Sequence, residues 1–135
     1  MPRVYHLDAD ARERISASLG AALAERREVA FACVFGSFLT GDPFRDIDIG
    51  AWMTDLADRR LDLELAASLS RDLGLPVDLR RINDAPIPFL FHVLRGRIVL
   101  ARDEEVLAGL MERTAREYHD RAPLLRLATR EAFGR

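Results

Sequence analysis

Lysine is missing from this chain of 135 residues, and arginine supplies all 20 of its strongly basic side chains. A GC-rich coding bias accounts for the missing lysine, but the consequence is chemical. A basic side chain meeting a phosphate here presents a guanidinium and not an ammonium, with backbone N–H groups as the other donors. Cysteine is nearly absent too. Cys33 stands alone, which excludes an internal disulfide framework and argues against a cysteine-based zinc site. Its apolar neighbours mark it as a small buried hydrophobe. No apolar run approaches the roughly 20 residues of a membrane span. The opening Met1-Pro2-Arg3-Val4 lacks the apolar core of a secretory leader, so the expectation is a cytoplasmic chain with no membrane partner. A net charge of −2 lacks the basic excess of a nucleic-acid binder. With 49% hydrophobic and 31% charged residues, the composition is that of an ordinary globular protein. The length predicts one domain over residues 1–135, with residues 103–135 as a C-terminal helical segment.

Periodicity places the elements. Asp8 is an N-cap for a helix reaching to about Arg27, with Ile15, Leu19, Ala22 and Leu23 on one face. Val29–Phe35 is a continuous apolar run and predicts a buried strand, and Asp46–Met53 predicts a second, mostly alternating one. Leu61, Leu65, Leu69 and Leu73 form the stripe of a helix from about Asp58, which Gly74 closes and Pro76 cannot continue. Val77–Ile82 predicts a third strand, Ile87–Leu94 a short helix and Arg97–Ala101 a last strand. Asp103 caps a long terminal helix, in which Pro123 predicts a kink or a fresh start. The order predicts an α+β fold, a small mixed β-sheet flanked by helices.

Chemistry concentrates between Phe35 and Gly50. The first strand breaks into Gly36-Ser37, and after a loop the chain re-enters as Asp46-Ile47-Asp48-Ile49. Residues two apart on a strand share a face, so Asp46 and Asp48 project together while Ile47 and Ile49 turn the other way. Asp78, between Val77 and Leu79 on the third strand, projects away from the core and offers a third carboxylate. Three carboxylates from adjacent strands suit two Mg²⁺ ions around a polyphosphate. Glycine at position 36 lets backbone approach a phosphate, and the Ser37 hydroxyl adds a donor. Asp78 has a simpler reading as an ion-pair partner of Arg80 or Arg81. Asp42, in Gly41-Asp42-Pro43, reads as a turn residue. His6, His92 and His119 share no ligand spacing and read as surface or packing residues. Trp52, Phe89 and Phe91 fit core packing better than stacking on a base.

Gly-Ser, a short loop and Asp-Ile-Asp-Ile together resemble the signature of the nucleotidyltransferase superfamily that includes DNA polymerase β. The size resembles its minimal nucleotidyltransferases. The tail with Tyr118, Asp120, Pro123-Leu124-Leu125 and Arg126 is more weakly similar to the antitoxin-type members paired with HEPN ribonuclease toxins. Carried over, the resemblance implies Asp46, Asp48 and Asp78 as catalytic metal ligands for two Mg²⁺ ions, and Gly36 and Ser37 as the triphosphate-binding pair. Two departures stand out. The Ser37–Asp46 loop is shorter than in many members, and Arg45 stands where a serine often precedes the first aspartate. Arg45 is read as a phosphate contact or as a solvated loop residue. The implied reaction moves a nucleoside monophosphate, AMP from ATP, onto a hydroxyl. On the antitoxin branch that hydroxyl is a tyrosine of a cognate HEPN toxin, also the implied binding partner. The alternatives are an aminoglycoside-like small-molecule acceptor, or an antitoxin acting by contact without catalysis. Template-directed synthesis is disfavoured, since no basic groove or thumb-like domain accompanies the motif.

Overall fold

Val29–Phe35 (β1) is apolar throughout because it lies inside a sheet covered on both faces. The computed structural model describes residues 3–41, 43–54 and 58–132, with side chains described as far as Asp120. β1 pairs antiparallel with Ile47–Met53 (β2) on one side and with Arg97–Ala101 (β4) on the other. Val77–Arg81 (β3) runs parallel to β2, giving the order β3-β2-β1-β4 in a mixed four-stranded sheet. This is the α+β arrangement that the periodicity predicts.

Two apolar clusters sandwich the sheet. On one face Leu19 and Leu23 of Ala9–Ala24 (α1) and Leu65 and Leu69 of Arg60–Leu73 (α3) meet Ala32, Val34, Ile47, Ile49, Ala51 and Leu79. On the other, Leu90, Val93 and Leu94 of Ile87–Leu94 (α4) and Leu107 and Leu110 of Glu104–Ala132 (α5) meet Phe31, Cys33 and Phe35. Cys33 is fully buried, as its neighbours imply. Trp52 stacks on Phe31 with ring centroids 5.6 Å apart, a cross-strand packing pair. Alternation along β2 sends Ile47, Ile49, Ala51 and Met53 to the α1/α3 face. Asp48, Gly50 and Trp52 therefore face α4. Gly50 is where α4 sits down on the sheet: a Cβ there would lie 2.5 Å from a Val93 methyl.

Local signals end the elements close to where the sequence places them. The Asp8 carboxylate caps α1 through the Ala11 N–H at 2.8 Å, and Asp103 caps α5 through Val106 N–H at 3.1 Å. The Gly74 N–H closes α3 on the Ser70 carbonyl at 2.9 Å. Ser70 then accepts the Val77 N–H at 2.9 Å, tying the end of α3 to the start of β3. Two expectations need correction. The first helix ends at Ala24, not near Arg27, and no second helix starts at Pro123, since the helix begun at Glu104 continues to Ala132. A proline inside a helix removes one N–H bond and does not oblige the backbone to stop. The turn at Asp42 lies outside the described residues.

Arg81, at the end of β3, donates through Nη2 to Asp62 at 2.8 Å and to the Asp58 carbonyl at 3.0 Å. The Arg81 and Asp62 side chains are only 5% and 17% exposed, so this is a buried ion pair holding β3 to α3. Breaking such a pair from one side leaves an uncompensated buried charge. Asp62→Ala is therefore expected to lose about 3 kcal/mol of stability, read as a lower urea midpoint at unchanged slope. An unshifted midpoint would show that the pair contributes nothing.

Candidate active site

The chain leaves β1 at Gly36, whose φ of 85° and ψ of −164° lie in a region open only to glycine. It then makes one helical turn, Ser37–Thr40 (α2), where the sequence reads as loop, and Gly41 ends that turn at φ 91°. Arg12 of α1 braces it, donating to the carbonyls of Phe38 and, at 3.2 Å, Gly41. The guanidinium also lies 5.3 Å from the Phe44 ring centroid. No local pattern signals this role, because Arg12 lies far upstream of the turn it holds.

Asp46 stands one residue before β2 and Asp48 is its second residue. Parallel pairing sets Asp48 directly beside Asp78, and antiparallel pairing sets Phe35 beside Asp48. Cross-strand partners share a face, so Phe35, Asp48 and Asp78 form a row across three strands on the α4 side. Carboxylate oxygens of Asp46, Asp48 and Asp78 lie within 4.8 Å of one another, and all three residues are half-buried. Gly36 closes the row from above: a Cβ there would lie 2.5 Å from Asp48 Oδ2. The structure thus brings together Gly36 and the three aspartates. Ser37 is the exposed first residue of α2. Arg45 is exposed just before Asp46 and makes no side-chain hydrogen bond or ion pair among the described residues. Asp78 also takes the simpler role, pairing with Arg80 Nε at 3.3 Å, while Arg80 lies over the Phe89 ring at 5.8 Å.

Crowding dominates the electrostatics. Burial, then the charges of Asp46 and Asp78, push the Asp48 carboxyl up to about 6, against an opposing pull from Arg80. The cluster therefore carries more negative charge than Arg80 offsets. Its donors are all carboxylate oxygens, the set preferred by a hard divalent cation. Chemically, the residues present fit Mg²⁺.

The family model described as "Polymerase beta, Nucleotidyltransferase" matches residues 18–105, well over half of the chain. The chain belongs to the polymerase beta nucleotidyltransferase family. The match spans both carboxylate-bearing strands and ends at the start of α5. A comparison with curated proteins finds no significant match. Solved structures share the nucleotidyltransferase fold. A chain from the MntA-HepT toxin-antitoxin structure is 20% identical at a TM-score of 0.67, covering 91% of this chain and 99% of its own. A chain from a toxin-antitoxin structure with AMP-PNP is 22% identical at a TM-score of 0.68, covering 90% and 98%. A third comes from the tri-AMPylated Shewanella oneidensis HEPN toxin in complex with MNT antitoxin. It is 20% identical at a TM-score of 0.63, covering 87% and 98%. No described helix of the nucleotidyltransferase fold is long and apolar enough to cross a membrane.

Proposed function

We propose that this chain is an antitoxin-type nucleotidyltransferase that moves AMP from ATP to a tyrosine hydroxyl of a cognate HEPN-type toxin. The observation that carries the reading is the convergence of Asp46, Asp48 and Asp78 beside the bare backbone of Gly36. Family membership supports the reaction type, and the toxin-antitoxin neighbours support the acceptor. In the reaction the acceptor oxygen bonds to the α-phosphorus, the bond to the β-phosphate oxygen breaks, and pyrophosphate leaves. Asp46, Asp48 and Asp78 would hold Mg²⁺, which when bound would neutralise phosphate charge and acidify the acceptor hydroxyl.

The chain's own groups position the reactants. Gly36 admits the phosphates close to its backbone, and Ser37 adds a hydroxyl donor. Arg45, exposed beside Asp46, contacts a phosphate oxygen. Asp78, oriented by Arg80, accepts the proton leaving the acceptor hydroxyl. Incubation with the cognate toxin, ATP and Mg²⁺ is expected to add one or more AMP masses to the toxin, read by intact-mass spectrometry. An unmodified toxin that is still inhibited would point to neutralisation by contact alone. AMP transferred instead to a small hydroxylated molecule would overturn the acceptor.

A further inference from the structure

A pocket of about 180 Å³ opens beside Gly36, between α2 and the C-terminal end of α4. Phe35, Gly36, Leu39 and Thr40 form one wall, and His92 and Arg95 form the other. Gly36 belongs to both places: it borders this pocket and lies against the Asp48 carboxylate.

The charges say what the pocket accepts. Arg95 is exposed and makes no ion pair among the described residues. Neighbouring arginines are committed elsewhere, Arg80 to Asp78 and Arg97 to Glu13. Arg95 is nevertheless held in place. Its guanidinium lies 5.4 Å from the Phe91 ring centroid. Phe91 in turn stacks on Tyr118 of α5 at 3.9 Å and 4°. His92 packs its ring edge-on against Phe35 at 5.6 Å. Phe35 is only 7% exposed, so the floor offers no open ring face for a nucleobase. A larger cavity of about 390 Å³ lies across α2, but its Arg97 is neutralised by Glu13 and Gly36 does not border it.

We propose that this pocket holds the terminal phosphates of the nucleoside triphosphate, with Arg95 and His92 as positioning residues for the departing pyrophosphate. The proposal rests on the nucleotidyl-transfer reading above and adds residues from α4 to it. In this geometry α5 acts at a distance, since Tyr118 supports the ring on which Arg95 rests.

Calorimetric titration of the full chain with ATP and, separately, AMP in Mg²⁺ tests it. Arg95→Ala is expected to weaken ATP about tenfold, the worth of one charge-assisted contact, and to leave AMP within about twofold. Arg95→Lys should recover part of the loss, and pyrophosphate should compete with ATP less well against Arg95→Ala than against the natural chain. Equal weakening of ATP and AMP, or of neither, overturns the pocket assignment while leaving nucleotidyl transfer intact. Unchanged nucleotide binding with lost toxin association would make this face a protein-docking surface instead. A natural chain that binds neither nucleotide overturns the transfer reading itself.

Discussion

Asp48→Asn is expected to lower AMP transfer by at least about a thousandfold and at the same time to raise the melting temperature of the metal-free protein. The opposite signs share one cause. Asp48 is half-buried between Asp46 and Asp78, and its carboxyl is pushed up to about 6. An unfolded aspartate titrates near 3.9. Between those two values the native chain holds a proton that the unfolded chain has released, so stability falls as pH rises through about 6. Near neutral pH the charged Asp48 therefore destabilises the metal-free fold, and asparagine removes that penalty without changing the shape of the side chain. Thermal melts in chelator check this: the natural chain should lose stability between about pH 4 and 6, and Asp48→Asn should flatten that slope. Added Mg²⁺ should raise the melting temperature of the natural chain above pH 6, where binding no longer competes with a proton. Asp48→Asn should show little such rise. Full activity of the variant in Mg²⁺ would sink the site, and a lower metal-free melting temperature would sink the electrostatic account.

How far the sequence carries the reader depends on the range of the interactions. β1, α4 and β4 have the bounds that the pattern predicts, because an unbroken apolar run, Pro86 and Gly96 are local signals. Asp46 and Asp48 on one face follow from the period of a strand. The pairing of Asp48 with Asp78 needs more, since it depends on how α3 returns the chain alongside β2. Opposing polarity on the third strand selects the face of Asp78, and the tertiary register brings it level with Asp48. α2 is illegible for a similar reason: two glycines at positive φ and the reach of Arg12 from α1 wind residues that read as loop. Arg95 lies beyond any local reading. The seating of α4 on Gly50 brings it to the pocket, and Phe91, stacked on Tyr118, supports it there.

Gly36→Ala is expected to lower transfer by about a hundredfold, the effect of displacing a reacting group by about 1 Å. Gly41→Ala should keep most of the activity. Both glycines have positive φ, 85° and 91°, so either substitution strains the backbone by about 1–3 kcal/mol. They differ in what a new methyl group meets. At position 41 it meets nothing within 4 Å among the described residues beyond its chain neighbours. At position 36 the methyl carbon would lie 2.5 Å from Asp48 Oδ2, well inside contact distance. Asp48 has little room to yield, because Asp46 and Asp78 crowd it and a shift in either direction changes the spacing of all three carboxylates. Stability alone therefore does not distinguish the variants, whereas the response to Mg²⁺ does. Gly41→Ala should retain the rise in melting temperature on adding Mg²⁺, and Gly36→Ala should lose most of it along with transfer. Equal activity in the two variants would show that Gly36 serves the bend of the chain and not the space beside Asp48.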